Sequence, residues 1–153
     1  MKSRSANIRH LVSRFRELGR PVTTHDDDAV FASRVLTPVE LALWHRMDAV
    51  DRRHSVEVAR RFCVLLPSAG RDEVAAALLH DVGKSAVRLG RIGRSIATIA
   101  GLTSSMRTYR RHEAIGEELL RAAGVSARTV ELAAGRVDDD AGRALRSADD
   151  GRQ

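Results

Sequence analysis

The sequence predicts an all-α fold, a compact multi-helix bundle of about seven helices, and three observations carry that prediction. Aromatic residues are 3% of the chain against 43% hydrophobic residues in all. The core must therefore be built from Leu, Val, Ile and Ala, the palette of packed helices rather than of aromatic, β-branched strands. Apolar residues recur at three- and four-residue intervals between helix start and stop signals. No alternating strand pattern is present, nor any internal repeat. The 153 residues suit one domain of ordinary size, and 30% charged residues beside that apolar fraction describe a folding chain rather than a disordered tail.

Ile8, Leu11, Val12, Phe15 and Leu18 fall at helical spacing among arginines, and Gly19 follows as a stop. The expected product is a basic amphipathic helix whose apolar stripe packs on the domain. Membranes, nucleic acid and an import receptor are the less ordinary targets of such a helix. Residues 1–36 are read as a basic helical N-terminal extension, ending in a short helical stretch through Leu36. Asp26, Asp27 and Asp28 are expected to act as a cap, because acids in a first turn meet the helix dipole favourably and do not alternate as calcium-loop ligands would. The domain proper is expected over 37–153. Thr37, Pro38 and Glu40 form a capping-box start signal. Helical character then runs to Leu66 with a break between Asp48 and Asp51, and Pro67 and Gly70 end it. Further helices are expected over Asp72–His80, Arg91–Ala100, Tyr109–Ala123 (closed by Gly124), Ser126–Ala134 and Asp140–Asp149.

The formal charge is +6, and 24 of the 26 basic residues are arginine. Residues 1–20 hold six basic residues against Glu17 alone, so the basicity is concentrated at the N-terminus. A basic balance favours anionic partners such as phosphate esters or nucleic acid. Cys63 is the only cysteine and lies in the apolar run Phe62–Leu66, which predicts a buried, inert thiol and excludes an intrachain disulfide. No apolar stretch reaches the roughly 20 residues of a membrane span, and no secretory h-region opens the chain. A cytoplasmic location is the resulting expectation.

The residues able to carry chemistry are His54, the pair His80-Asp81, His112 and the pair Asp149-Asp150. Imidazole nitrogens and carboxylate oxygens together suit a divalent cation. His80 and Asp81 end an apolar helix, Leu78-Leu79-His80-Asp81-Val82-Gly83-Lys84. Neighbours on a regular helix point about 100° apart, so both can face one ion only if the helix loosens, which Gly83 is expected to permit. His10, His25 and His45 have no such partners and are read as ordinary surface or core histidines.

In order, Arg53-His54-Ser55, Leu79-His80-Asp81-Val82-Gly83-Lys84, Arg111-His112-Glu113-Ala114-Ile115-Gly116 and Ser147-Ala148-Asp149 resemble the HD superfamily of metal-dependent phosphohydrolases, over about residues 40–150. The resemblance implies an all-helical fold and a phosphomonoesterase or phosphodiesterase acting through a metal-activated water on a nucleotide or similar small phosphoester. By position it makes His54, His80, Asp81 and Asp149 the metal ligands, with Asp150 the fallback. It also gives Asp81, Lys84 and His112 catalytic roles, Asp81 assisting deprotonation of the water and the other two facing phosphate. The divalent ion could be Mn, Mg, Fe, Zn, Co or Ni. The chain departs from two-metal relatives at Leu132-Ala133-Ala134-Gly135-Arg136-Val137, where further histidines are usual. Two alternatives stay open. One is a degenerate HD-fold module that binds a nucleotide or a protein without turnover. The other, ranked last for want of a helix-turn-helix or stacking aromatics, is a nucleic-acid-binding protein led by its first helix.

Overall fold

The computed structural model describes residues 25–84 and 105–151, with side chains over 27–84 and 114–151. Within them lie seven helices and no strand: α1 (His25–Val35), α2 (Pro38–His45), α3 (Ala49–Leu65), α4 (Arg71–Leu79), α5 (Ser105–Ala122), α6 (Ala127–Ala133) and α7 (Asp140–Asp150). The fold is all-α. The helices expected over 1–20 and Arg91–Ala100 fall outside the described residues.

Helix boundaries follow local capping chemistry. The Thr37 hydroxyl accepts from the Glu40 backbone N–H, while the Glu40 carboxylate accepts from the Thr37 N–H at 2.8 Å, so the expected capping box starts α2. The break near Asp48 is a new helix start, its carboxylate accepting from the Asp51 N–H at 2.8 Å. Ser126 and Asp139 cap α6 and α7 in the same manner. Gly124 and Gly135 follow α5 and α6 with φ of 70° and 68°, a left-handed turn that a side chain would strain.

Helix α4 is the centre of the packing. Val74, Ala75, Ala76, Ala77, Leu78 and Leu79 are all buried, and α1, α2, α3 and α6 surround it. Its run of alanines lets neighbouring helices approach closely without a void. Helix α3 lies between α4 and α7 and buries His54, Ser55, Val58 and Phe62. Phe31, Ala32, Val35 and Leu36 belong to this same core, although the sequence reading assigned them to the N-terminal extension. Asp28 departs from its expected role as a cap: its carboxylate is buried and pairs with Arg60 of α3 at 3.0 Å. A second anchor joins α2 to α4, where the buried Glu40 carboxylate takes both guanidinium nitrogens of Arg71. No described helix is long and apolar enough to cross a membrane.

Candidate metal centre

The chain is loosened at the His80-Asp81 doublet itself. Helix α4 ends at Leu79, His80 is its C-cap, and helical geometry resumes at Val82. The helix thus loosens at the doublet, as expected, just before Gly83. A Cβ on Gly116 of α5 would lie 3.2 Å from the Gly83 nitrogen. Gly116 lets α5 press its backbone against the turn that carries the doublet.

That turn points both side chains at α3 and α7. His54, from the buried face of α3, has its Nε2 2.9 Å from Asp149 Oδ1 and 3.9 Å from Asp81 Oδ2. His80 Nε2 stands 3.5 Å from both of those carboxylate oxygens. The two imidazoles meet edge to face, their centroids 5.5 Å apart. His54, His80 and Asp81 each offer a donor atom within 4.8 Å of the others, and this His-His-Asp group could hold a metal ion. Asp149 is outside that group of three, but its Oδ1 lies beside both imidazoles. Two donors on one cation at roughly 2.0–2.3 Å sit about 3–4 Å apart, which the separations here match.

Hydrogen bonding prepares His80 for such a role. Its Nδ1 lies 2.8 Å from the Ala77 carbonyl, which can only accept, so Nδ1 carries a proton. The neutral ring then presents the lone pair of Nε2, a buried atom without a well-formed hydrogen bond. A lone pair facing two carboxylate oxygens is repelled unless positive charge, a proton or a cation, lies between them. The same field is visible in protonation. Burial works against a charged His80, but hydrogen bonding to Asp149 and the charges of Asp81 and Asp149 outweigh it and hold its pKa above the ordinary histidine value. Hydrogen bonds from His54 and His80 hold the Asp149 carboxyl far below the usual carboxylate range.

The cluster opens on a cleft of about 250 Å³. His80, Asp81 and Asp149 line it with Lys84, whose Nζ donates to Asp81 at 2.8 Å. Leu132, Ala133, Ala134 and Gly135 line it too, so the stretch without donors in the sequence borders the same cleft as the doublet. Arg146 lines it as well. The sequence reading passed over Arg146, although its place one helical turn before Asp149 sets the two on one face of α7. Asp150 is exposed and outside the lining, leaving Asp149 as the carboxylate of α7 that faces the histidines. His112 lies on α5, but its side chain is outside the described residues. His45 ends α2 on the surface against Trp44. Cys63 is half-buried, and burial pushes its thiol up to about 11.

No family model, curated protein or solved structure matches the chain.

Proposed function

We propose that the chain is an HD-type metal-dependent phosphohydrolase acting on a small phosphoester. One observation carries the reading: two imidazoles and two carboxylates from α3, the end of α4 and α7 meet beside a single cleft, lined by His80, Asp81 and Asp149, that also holds a lysine. His54, His80, Asp81 and Asp149 would hold the ion. A divalent cation bound there supplies Lewis acidity toward a phosphoryl oxygen and lowers the pKa of a water.

The chain's own groups do the rest. The Ala77 carbonyl fixes the His80 tautomer and ring orientation. Lys84 orients Asp81, and its half-exposed ammonium reaches into the cleft toward the charge that develops on the phosphoryl oxygens. Asp81 takes the proton released by the attacking water. No side-chain nucleophile is required, and Cys63 with its raised pKa is not one.

The test is elemental analysis of the purified protein beside a His80→Ala, Asp81→Ala double variant, followed by hydrolysis of a panel of phosphoesters in the presence of Mn²⁺. The wild type is expected to carry near-stoichiometric metal and to turn over at least one ester, and the double variant to do neither. Equal metal in both proteins would remove the reading. Metal binding by the wild type with no hydrolysis across the panel would favour a binding module instead.

A further inference from the structure

Helix α7 is built against its own dipole. Its last turn carries Asp149 and Asp150 and no basic residue. Carboxylates at the end where carbonyl groups already concentrate negative charge disfavour the helical form, and cations are what that end favours. The arginines of α7 do not repair this. Arg143 turns to Asp140 and the Asp138 carbonyl, and Arg146 to Asp138 and the Val137 carbonyl, all at the opposite end of the helix. The turn that brings a carboxylate to the donor cluster is therefore the one least able to hold itself together.

A cation reaches it from α3. Arg61 Nη1 donates at 2.8 Å to the carbonyl of Ala148, the neighbour of Asp149 in the chain. The bare Cα of Gly151 leaves room for that approach, since a Cβ there would lie 3.2 Å from Nη1. The other contact of the guanidinium, to Glu57 one turn back on α3, is 3.5 Å long between side chains 34% and 51% exposed, and such a pair is weak. Arg61 follows His54 by seven residues, so the two project from one face of α3 about 10 Å apart along its axis. That face meets α7 twice, with His54 at the Asp149 carboxylate at 2.9 Å and Arg61 at the Ala148 carbonyl. A helix end held at one point can pivot about it. Two points on a rigid neighbour fix its direction as well.

We propose that Arg61 is a positioning residue of the metal centre, neutralising the end of α7 and holding its last turn so that Asp149 stays within reach of the histidines. Arg61 does not line the cleft, and the Asp149 carboxylate faces His54 and His80 rather than the guanidinium. Its action is on the backbone that carries the donor. The inference rests on the metal-centre reading, and the set of variants keeps the two apart.

Mn²⁺ is titrated onto the full chain as wild type, Arg61→Gln, Arg61→Lys and Glu40→Gln, well below the melting temperature and with helix content checked by circular dichroism. Glu40→Gln breaks the anchor between α2 and α4, away from the donors, and so controls for a general loss of stability. Arg61→Gln is expected to bind Mn²⁺ about tenfold more weakly or worse, the usual cost of losing a group that supports a ligand. Arg61→Lys should recover most of that loss, because an ammonium also bonds the last carbonyls of a helix, and Glu40→Gln should bind as the wild type does. No Mn²⁺ binding by the wild type would overturn the metal-centre reading and this inference with it. Wild-type affinity in Arg61→Gln, no recovery in Arg61→Lys, or an equal loss in Glu40→Gln would overturn the assignment of Arg61 while leaving the metal centre standing.

Discussion

Replacing Gly142 by alanine sets two physical effects of opposite sign against each other. Alanine in a helix interior is favoured over glycine by roughly 0.5–1 kcal/mol, so propensity alone predicts a more stable α7. The packing predicts the reverse. A Cβ at Gly142 would lie 1.9 Å from the Val137 carbonyl oxygen and 2.8 Å from its carbon, where real contacts do not go below 3.0 Å. The helix or the Val137 carbonyl must therefore move by about 1.1 Å. That carbonyl is backbone, and it also receives Arg146, so neither side can simply swing away. Overpacking of this kind costs about 1–3 kcal/mol, and with backbone as the obstacle the upper part of that range applies, about 2–3 kcal/mol, which after the propensity gain leaves a net loss of about 1–2.5 kcal/mol. For a chain of this length that is a fall of roughly 2–10 °C in Tm. The assay is thermal unfolding of the metal-free protein by circular dichroism. The same shift tilts the helix that carries Arg146 and Asp149, so Mn²⁺ affinity should fall about tenfold or more, as it does when groups supporting a ligand are disturbed. A Tm equal to or above wild type would refute the packing argument, and an unchanged Mn²⁺ affinity would refute the coupling of this contact to the donor cluster.

Three further outcomes are expected. Mn²⁺ at about 100 times its Kd should stabilise the wild type by about 2.7 kcal/mol and the His80→Ala, Asp81→Ala variant not at all, read from paired melts with and without a chelator. At Glu40, burial pushes the carboxyl pKa up, but the hydrogen bonds and charge of Arg71 with the Thr37 N–H outweigh it and hold the folded pKa below 4.5. A carboxylate so lowered contributes stability that is complete above the unfolded pKa and is lost as pH falls from there through the folded value. Glu40→Gln should thus cost about 1–3 kcal/mol at pH 7 and progressively less below pH 4.5, measured by urea titration across that range, and a constant difference would count against the Arg71 contact. Cys63, its thiol pushed up to about 11, should react with maleimides much more slowly in the native protein than in urea at pH 7.5; equal rates would show the thiol to be open to solvent and unperturbed.

Features fixed by neighbours in the chain were legible, and those fixed across the fold were not. The Thr37 and Asp48 starts can be read because a cap is a bond between residues three apart. The same local logic misread Asp28, whose partner Arg60 lies on another helix and has no signature in sequence. For the candidate site, the His80-Asp81 pair stood out because two ligand-type residues end an apolar helix. His54 and Asp149 were candidates by residue type and were given a shared role only by resemblance, since a contact between residues 95 apart leaves no periodic trace. Arg146 drew no attention among 24 arginines, because nothing but the folded cleft distinguishes it from the others.

The contact between His54 and Asp149 makes α7 more than a carrier of ligands. It clasps a stretch of 95 residues into a ring, and whatever tightens the clasp removes loop entropy from every partially opened form that keeps it. Under the proposed metal reading, fraying of the last described helix and escape of the cation become one event. Amide exchange along α7 would slow as the cluster fills, giving a readout of occupancy that needs no substrate.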